Sequence, residues 1–345
     1  MKSVRVSVPG RACFAGDHLD WMGGAVIACA LENLRIYVRA STLLGSQSVV
    51  KVKSGEPFNT SSCFDVDEHA YDASHVLAYV RAVFKVMARL EYPVRGIEVG
   101  MSSTLPAEAG LGSSAAVCVA TATALSKLLA LSLSREEIAR IAYEAEAVEL
   151  GINCGQMDQY AVALGGIVYL DCSREPPSVE RLSSRDDVAL VLAIAQKRSA
   201  ADVLRRLAWR YSERDPLLTK YSRATLEATQ EMRRILSQPN WDPRALGEIM
   251  TACHSYLRDY AQLSTPALED YVSACLKAGA YGAKATGAGR GGSMFALCHE
   301  NQASRVKQQL DELDGQPLIS RLADVGLRNE SPCPGMPAKT HGSRL

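Results

Sequence analysis

Apolar and polar positions change their spacing several times along the chain, and each change predicts a change of element. SVRVSV (3–8) alternates as a strand does, and AVIACAL and LRIYVRA (34–40) read as two further strands. HVLAYVRAVFKVMARL (75–90) then takes helical spacing, and RGIEVGMSS predicts a strand that runs into LPAEAGLGSSAAV, after which the pattern is helical from Val117. Ser134 and Glu137 form a capping-box signature ahead of IARIAYEAEAVELG, where Ile138, Ile141, Ala142, Ala145 and Val148 make an apolar stripe and Gly151 ends the helix. GGIVYLDC (165–172) predicts another strand, and the Pro- and Ser-rich SREPPSVERLSSRDD (173–187) predicts a boundary.

Beyond that boundary VALVLAIA opens a second half, with helical spacing over about 214–238, 244–263 and 266–279, then KATGAGRGGSMFALC, a helix and LISRLADVGL. Strands and helices mix without a regular βαβ period, which predicts an α+β fold. At 345 residues the chain exceeds what one hydrophobic core commonly holds, so two domains are expected, 1–180 and 181–330. The proline-rich tail, 331–345, reads as unstructured.

Composition narrows the function classes. The 38 basic residues equal the 38 acidic ones, which argues against a nucleic-acid partner. The start, MKSVRVSVPGR, lacks the apolar core of a signal peptide, and no apolar run reaches membrane-spanning length, so the expected setting is cytoplasmic with no membrane partner. The ten cysteines contain no CxxC, and the six histidines make no metal-binding helix pair, so reduced, mostly buried thiols are expected and a protein-built zinc site is not.

Three glycine-containing islands and one acidic residue carry the candidate chemistry. In AGLGSSAA (109–116) the small residues let backbone N–H groups approach a ligand, and the following helix presents its positive dipole end, which suits phosphate. A tight strand-to-helix turn has the same composition. The loop is no Walker motif, because Gly112 is followed by Ser113 and Ser114 rather than lysine. A second loop, KATGAGRGGSMFAL (284–297), precedes a strand; it could close with the first around one nucleotide or be a glycine-tolerant hairpin. PGRACFAGDHLDWMGG (9–24) crowds Arg11, Asp17, His18 and Asp20 among small residues, as a solvated turn or as donors and acceptors for a polyhydroxylated ligand. In GINCGQMDQYAVALGG (151–166) a single acid, Asp158, stands among small and apolar neighbours, suitable for a general base.

In this order PGR…GDHLDW, P-x-x-x-GLGSSAA and TGAGRGG resemble the three motifs of the GHMP kinases (galactokinase, homoserine kinase, mevalonate kinase, phosphomevalonate kinase), over roughly residues 4–327. GDHLDW with CGQMDQ most resembles galactokinase, whose stretches read GEHTDY and CGIMDQ. The resemblance implies an N-terminal domain with a ribosomal-S5-like half, a ferredoxin-like C-terminal domain and a cleft between them. It implies Asp158 as catalytic base with Arg11 beside it, and Asp17, His18, Asp20 and Gly155 at the sugar. It implies an ATP phosphate cradle of Gly110, Leu111, Gly112, Ser113, Ser114, Ala115 and Ala116, completed by Gly287 and Gly289. Ser114 and Glu146 correspond to ligands of Mg2+, with Glu149 a rival for that role.

The expected activity is ATP- and Mg2+-dependent phosphorylation of a small sugar, at the anomeric hydroxyl, by a monomer or homodimer. Two departures bear on the substrate. Asp17 stands where galactokinases have glutamate. AIAQKRSAADVLRRL (193–207) replaces their Asn-Ser…His-Ser-Leu stretch, so Lys197 and Arg198, with Arg290 in the third motif, either face water or meet an anionic substrate such as a uronic acid or sugar phosphate. A mevalonate-type alcohol kinase is a further alternative, though Asp20 would then sit near an apolar substrate stem. A sugar- and ATP-binding sensor without turnover is another, against which Arg11 and Asp158 both argue.

Overall fold

The computed structural model describes residues 2–43, 49–55, 59–68, 77–106, 109–195 and 200–330. The first sheet begins with β1 (Ser3–Ala15) and β2 (Ala25–Thr42), antiparallel neighbours along most of their length. The two strands read in the sequence around Glu32 and Asn33 are therefore one 18-residue strand. Its polar interruption coincides with a register shift between Pro9 and Arg11, where the β1 partner jumps from Arg35 to Ala30. Irregularities of this kind re-aim side chains, and Arg11 sits at this one.

β3 (Val50–Ser54), β4 (Thr60–Phe64) and β5 (Ile97–Ser103) extend the sheet on one side of β2. β6 (Ile167–Asp171) pairs with the start of β2, and β7 (Ser178–Leu182) pairs with β6. β7 lies within the stretch read as a boundary. Its SVERL has only Val179 and Leu182 as apolar residues, three positions apart, the preceding Glu-Pro-Pro dominates the local signal, and its partner is supplied from outside the segment.

Helices α2 (Ser113–Leu128) and α4 (Met157–Leu164) pack on this sheet, and α1 (Ala78–Arg89) and α3 (Arg135–Tyr143) pack on α2. α2 is apolar nearly all round, with Ala115 through Ser126 buried, as a helix enclosed by its neighbours should be. The predicted capping box at Ser134 forms, its side chain accepting from Glu137 N–H while the Glu137 carboxylate accepts from Ser134 N–H. The helix continues past Tyr143 as a π-helical turn, Glu144–Glu149, before Gly151.

The second sheet holds β8 (Val188–Ile194), β9 (Gly282–Thr286), β10 (Ser293–His299) and β11 (Leu318–Ser320) in the order β11-β8-β10-β9, all antiparallel. Four helices lie between β8 and β9 in the chain: α5 (Ala200–Ser212), α6 (Pro216–Leu236), α7 (Pro243–Tyr256) and α8 (Pro266–Lys277). α9 (Ala303–Asp311) joins β10 to β11. This is the split βαβ arrangement of a ferredoxin-like domain. The final strand, β12 (Arg328–Asn329), returns to β1, α6 packs on β1 and β2, and β9 and β11 also touch the first sheet, so the second half of the chain is tied to the first at several places. Lys197, Arg198 and the tail 331–345 lie outside the described residues.

Glycine sets the distance at which α7 carries β9. A Cβ at Gly247 would collide with the Tyr281 and Gly282 backbone, and one at Gly282 with the Gly247 backbone. Gly247→Ala should therefore destabilise the protein by roughly 1–3 kcal/mol through overpacking, read as a lowered denaturation midpoint; an unchanged midpoint would contradict this packing.

Candidate active site

Arg11 is the meeting point of three segments. Its Nε and one terminal nitrogen donate to the two carboxylate oxygens of Asp158, both at 2.6 Å, in the fork geometry that makes arginine–carboxylate pairs strong. Its other terminal nitrogen donates to the Gly110 carbonyl at 2.5 Å, and its backbone N–H to the Leu111 carbonyl at 2.9 Å. Burial opposes the Arg11 charge, but the Asp158 carboxylate outweighs it and the guanidinium pKa is raised. Asp158, in the first turn of α4, keeps its side chain 25% exposed, so the carboxylate stays partly open to solvent while Arg11 is buried.

The small-residue loop lies against this pair. Gly110 and Gly112 have φ of 69° and 74°, and Gly112 caps α2 without any side-chain hydrogen bond to the helix N–H groups. A Cβ on Gly112 would stand 3.0 Å from Arg11 Cγ. Leu111, Ala115 and Ala116 are buried in the core, so within this loop only backbone and the Ser113 and Ser114 hydroxyls are available to a ligand.

The third motif touches the same loop from behind. A Cβ on Gly287 would lie 2.7 Å from the Gly110 carbonyl oxygen, and one on Gly289 would lie 2.7 Å from Leu263 Cβ. Ser293 Oγ donates to the Ala109 carbonyl at 2.5 Å, and Thr286 Oγ1 accepts from Cys13 N–H at 3.1 Å. The need for glycine at 287 and 289 is thus met by close packing of protein on protein. Arg290, at φ 55°, donates its backbone N–H to the Leu263 carbonyl and lines a small cavity with Arg206, Leu207 and Arg210 between α5 and the third loop.

Ser114 and Glu146 meet as well. The buried Glu146 carboxylate accepts from Gln159 Nε2 at 2.6 Å and from the Ser114 hydroxyl. Burial raises its pKa to about 7, against the opposing pull of those two hydrogen bonds. Glu149 points elsewhere, to Lys85 at 3.3 Å and Arg89 at 3.4 Å. A hydroxyl beside a desolvated carboxylate fits a hard divalent ion that keeps waters or phosphate oxygens on its remaining positions. No cluster of three or more His, Cys, Asp or Glu suited to a metal occurs among the described residues.

Asp17, His18 and Asp20 share the turn after β1. Asp17 is buried, with Oδ2 accepting from Lys284 Nζ at 2.7 Å and its backbone carbonyl accepting from Tyr221 OH at 2.6 Å. His18 is buried at φ 68°, its Nδ1 3.5 Å from Trp21 Nε1, and burial lowers its pKa. Asp20 Oδ2 accepts from Met157 N–H at 3.1 Å, one residue from Asp158. A Cβ on Gly155 would collide with the Asp20 carboxylate, so that glycine makes room for the acid. Sequence reasoning missed Lys284, Tyr221 and Gln159. For Lys284 a signal existed, a lone charge in the otherwise small and apolar strand GAKAT.

Desolvation, with the nearby Asp158 charge, lifts Asp20 to about 6, above its usual 3.8. Between these values the folded protein binds more protons than the unfolded chain, so Asp20 lowers stability as pH rises from about 4 to 6, and the full cost is present above 6. Asp20→Asn lacks that cost. Its stability relative to wild type should grow by roughly 2–3 kcal/mol from pH 4 to pH 7, measured as denaturant midpoints across that range; a gap independent of pH would refute the shift.

Known proteins resemble this chain throughout. The family model described as "GHMP kinases N terminal domain" matches residues 78–166, and "GHMP kinases C terminal" matches 215–314. A mevalonate kinase of Thermococcus onnurineus is 33% identical over 346 residues, covering 96% of this chain and 99% of the relative. A galactokinase of Thermococcus kodakarensis is 28% identical over 337 residues, covering 90% and 93%. The galactose-bound galactokinase of Lactococcus lactis superposes with a TM-score of 0.81 at 23% identity, covering 95% of each chain. With both family models matched in order, and a relative above 30% identity along almost its whole length, the chain belongs to the GHMP kinases, phosphotransferases that act on an alcohol group.

Proposed function

We propose that this kinase transfers the γ-phosphoryl group of ATP to a hydroxyl of a small neutral sugar, the anomeric hydroxyl as in galactokinase. The observation that carries the substrate class is the charge around Asp158. Asp17, Asp20 and Asp158 contribute three carboxylates, and the two cations among them, Arg11 and Lys284, are each already bonded to one. Among the described residues of this turn, a carboxylate-bearing acceptor would meet excess negative charge and no unpaired cation. A neutral polyol would instead donate hydroxyl protons to acids held in place for that purpose.

On this reading the acceptor hydroxyl gives its proton to Asp158 as its oxygen bonds to the γ-phosphorus and the bond to the departing ADP oxygen breaks. The Arg11 fork fixes Asp158 in orientation, and its charge lies beside the transferring group. The glycine loop and the start of α2 hold the phosphates through backbone N–H groups. Ser114 and Glu146 would hold Mg2+, which when bound supplies charge neutralisation across the phosphates. Most of the rate enhancement then comes from positioning.

The relatives that are mevalonate kinases favour a second reading, an alcohol kinase acting on mevalonate. ADP release measured with neutral hexoses, uronic acids, sugar phosphates and mevalonate separates the readings. Turnover is expected with a neutral hexose, and turnover with mevalonate alone would replace the proposal by the second reading. Asp158→Asn should lower kcat by about 10²–10⁴-fold with little change in the KM for ATP; a variant retaining wild-type kcat would remove Asp158 as the base. Stabilisation by sugar and ATP without any ADP release would instead indicate a ligand sensor.

A further inference from the structure

Lys284 is the most deeply buried cation among the described residues, at 0% exposure, and it belongs to the second sheet, whereas its ion-pair partner Asp17 belongs to the first half of the chain. Its ammonium makes three short contacts, to Asp17 Oδ2 at 2.7 Å, the Cys13 carbonyl at 2.9 Å and the Ala285 carbonyl at 2.7 Å, so its hydrogen-bonding capacity is used up. Asp17 is left half satisfied. It is 3% exposed, and its Oδ1 has no hydrogen-bond partner among the described residues.

Purely structural ion pairs in a protein interior do best when every lone pair is satisfied, because each unsatisfied oxygen carries an uncompensated desolvation cost. Here one oxygen is held by a lysine of the second sheet, and the other has no protein donor among the described residues. β9 is itself braced, with Ala285 N–H donating to His254 Nδ1 at 3.2 Å and His254 Nε2 paired with Glu269 at 3.0 Å, so the lysine starts from a fixed strand.

We propose that Lys284 is a positioning residue for the phosphoryl acceptor: it holds the Asp17 carboxylate so that Oδ1 accepts a hydrogen bond from an acceptor hydroxyl. The inference rests on the sugar-kinase reading and deepens it, because it makes acceptor affinity depend on a residue of the second domain that acts through Asp17.

A double-mutant cycle of Lys284→Met and Asp17→Asn, assayed by ADP release with D-galactose and ATP varied in turn, tests it. Each single variant should raise the KM for D-galactose about tenfold or more, as expected for a lost hydrogen bond to a charged group. The double variant should be no worse than Asp17→Asn alone, and the KM for ATP should stay within about twofold in all three. Independent, multiplying effects would overturn the proposal. So would a Lys284→Met enzyme with wild-type acceptor KM, or parallel rises in both KM values, which is how a merely structural residue would behave. If Lys284→Met does not fold, Lys284→Gln keeps N–H donors for the Cys13 and Ala285 carbonyls and takes its place in the cycle, where the same results support or overturn the proposal. Failure of the kinase reading has a different signature, no ADP release by the wild-type protein; the cycle is then read on the melting-temperature shift given by D-galactose.

Discussion

The site depends on one guanidinium. Arg11 arises at a register shift of β1 and is bonded at once to the acid of α4 and to the carbonyl of the loop that starts α2. Segments about 100 and 150 residues downstream are thereby fixed within hydrogen-bond reach of the same side chain. A buried arginine is costly unless its donors are spoken for, and the fork on Asp158 meets that requirement while aligning the carboxylate. The electrostatic solution for Arg11 and the orientation of the Asp158 carboxylate are one arrangement.

Around this pair, separation is set largely by the absence of side chains. Gly110 faces Gly287, Gly112 faces the Arg11 stem, Gly155 faces Asp20, and Gly247 faces Gly282. At each place two elements approach until backbone, a carboxylate or the Arg11 stem crowds the volume a methyl group would need. The glycine-rich loop thus has two surfaces. One leaves the N–H groups at the start of α2 uncapped by side chains, and the other is packed against the third motif, which stiffens it. The third motif is best understood through that second surface, since Gly287, Thr286 and Ser293 all direct their contacts to the first half of the chain.

Much of this was legible in the sequence because the informative residues are chemically out of place where they stand. Arg11, Asp17, His18, Asp20 and Asp158 are polar groups in small or apolar surroundings, and the glycine loops are too poor in side chains to be ordinary turns. Helices α6, α7 and α8 and the Ser134 capping box were readable from local spacing alone, whereas α5 was not read. What escaped depends on distant partners. β7 needs β6 to be a strand, and β3 and β4 are five-residue strands whose pattern is too short to stand out. Lys284 was a visible anomaly, but nothing local indicated that its partner lies 267 residues away. The choice between Glu146 and Glu149 was closed to sequence reasoning for a different reason, since it turns on helical phase within a single turn.

That phase is set by the π-helical segment between Tyr143 and Leu150, where Leu150 N–H reaches back five residues to the Ala145 carbonyl. An ordinary α-turn advances about 100° per residue, and the wider turn absorbs the equivalent of one extra residue without lengthening the helix much. It delivers one acid inward to Ser114 and leaves the next outward with Lys85 and Arg89. Loss of a single amino acid from this stretch would restore regular winding and leave the residues beyond it in their present orientation about the axis. A one-residue deletion past Glu146 would accordingly disturb the rest of the helix little, the segment being short and ending at a glycine facing open space.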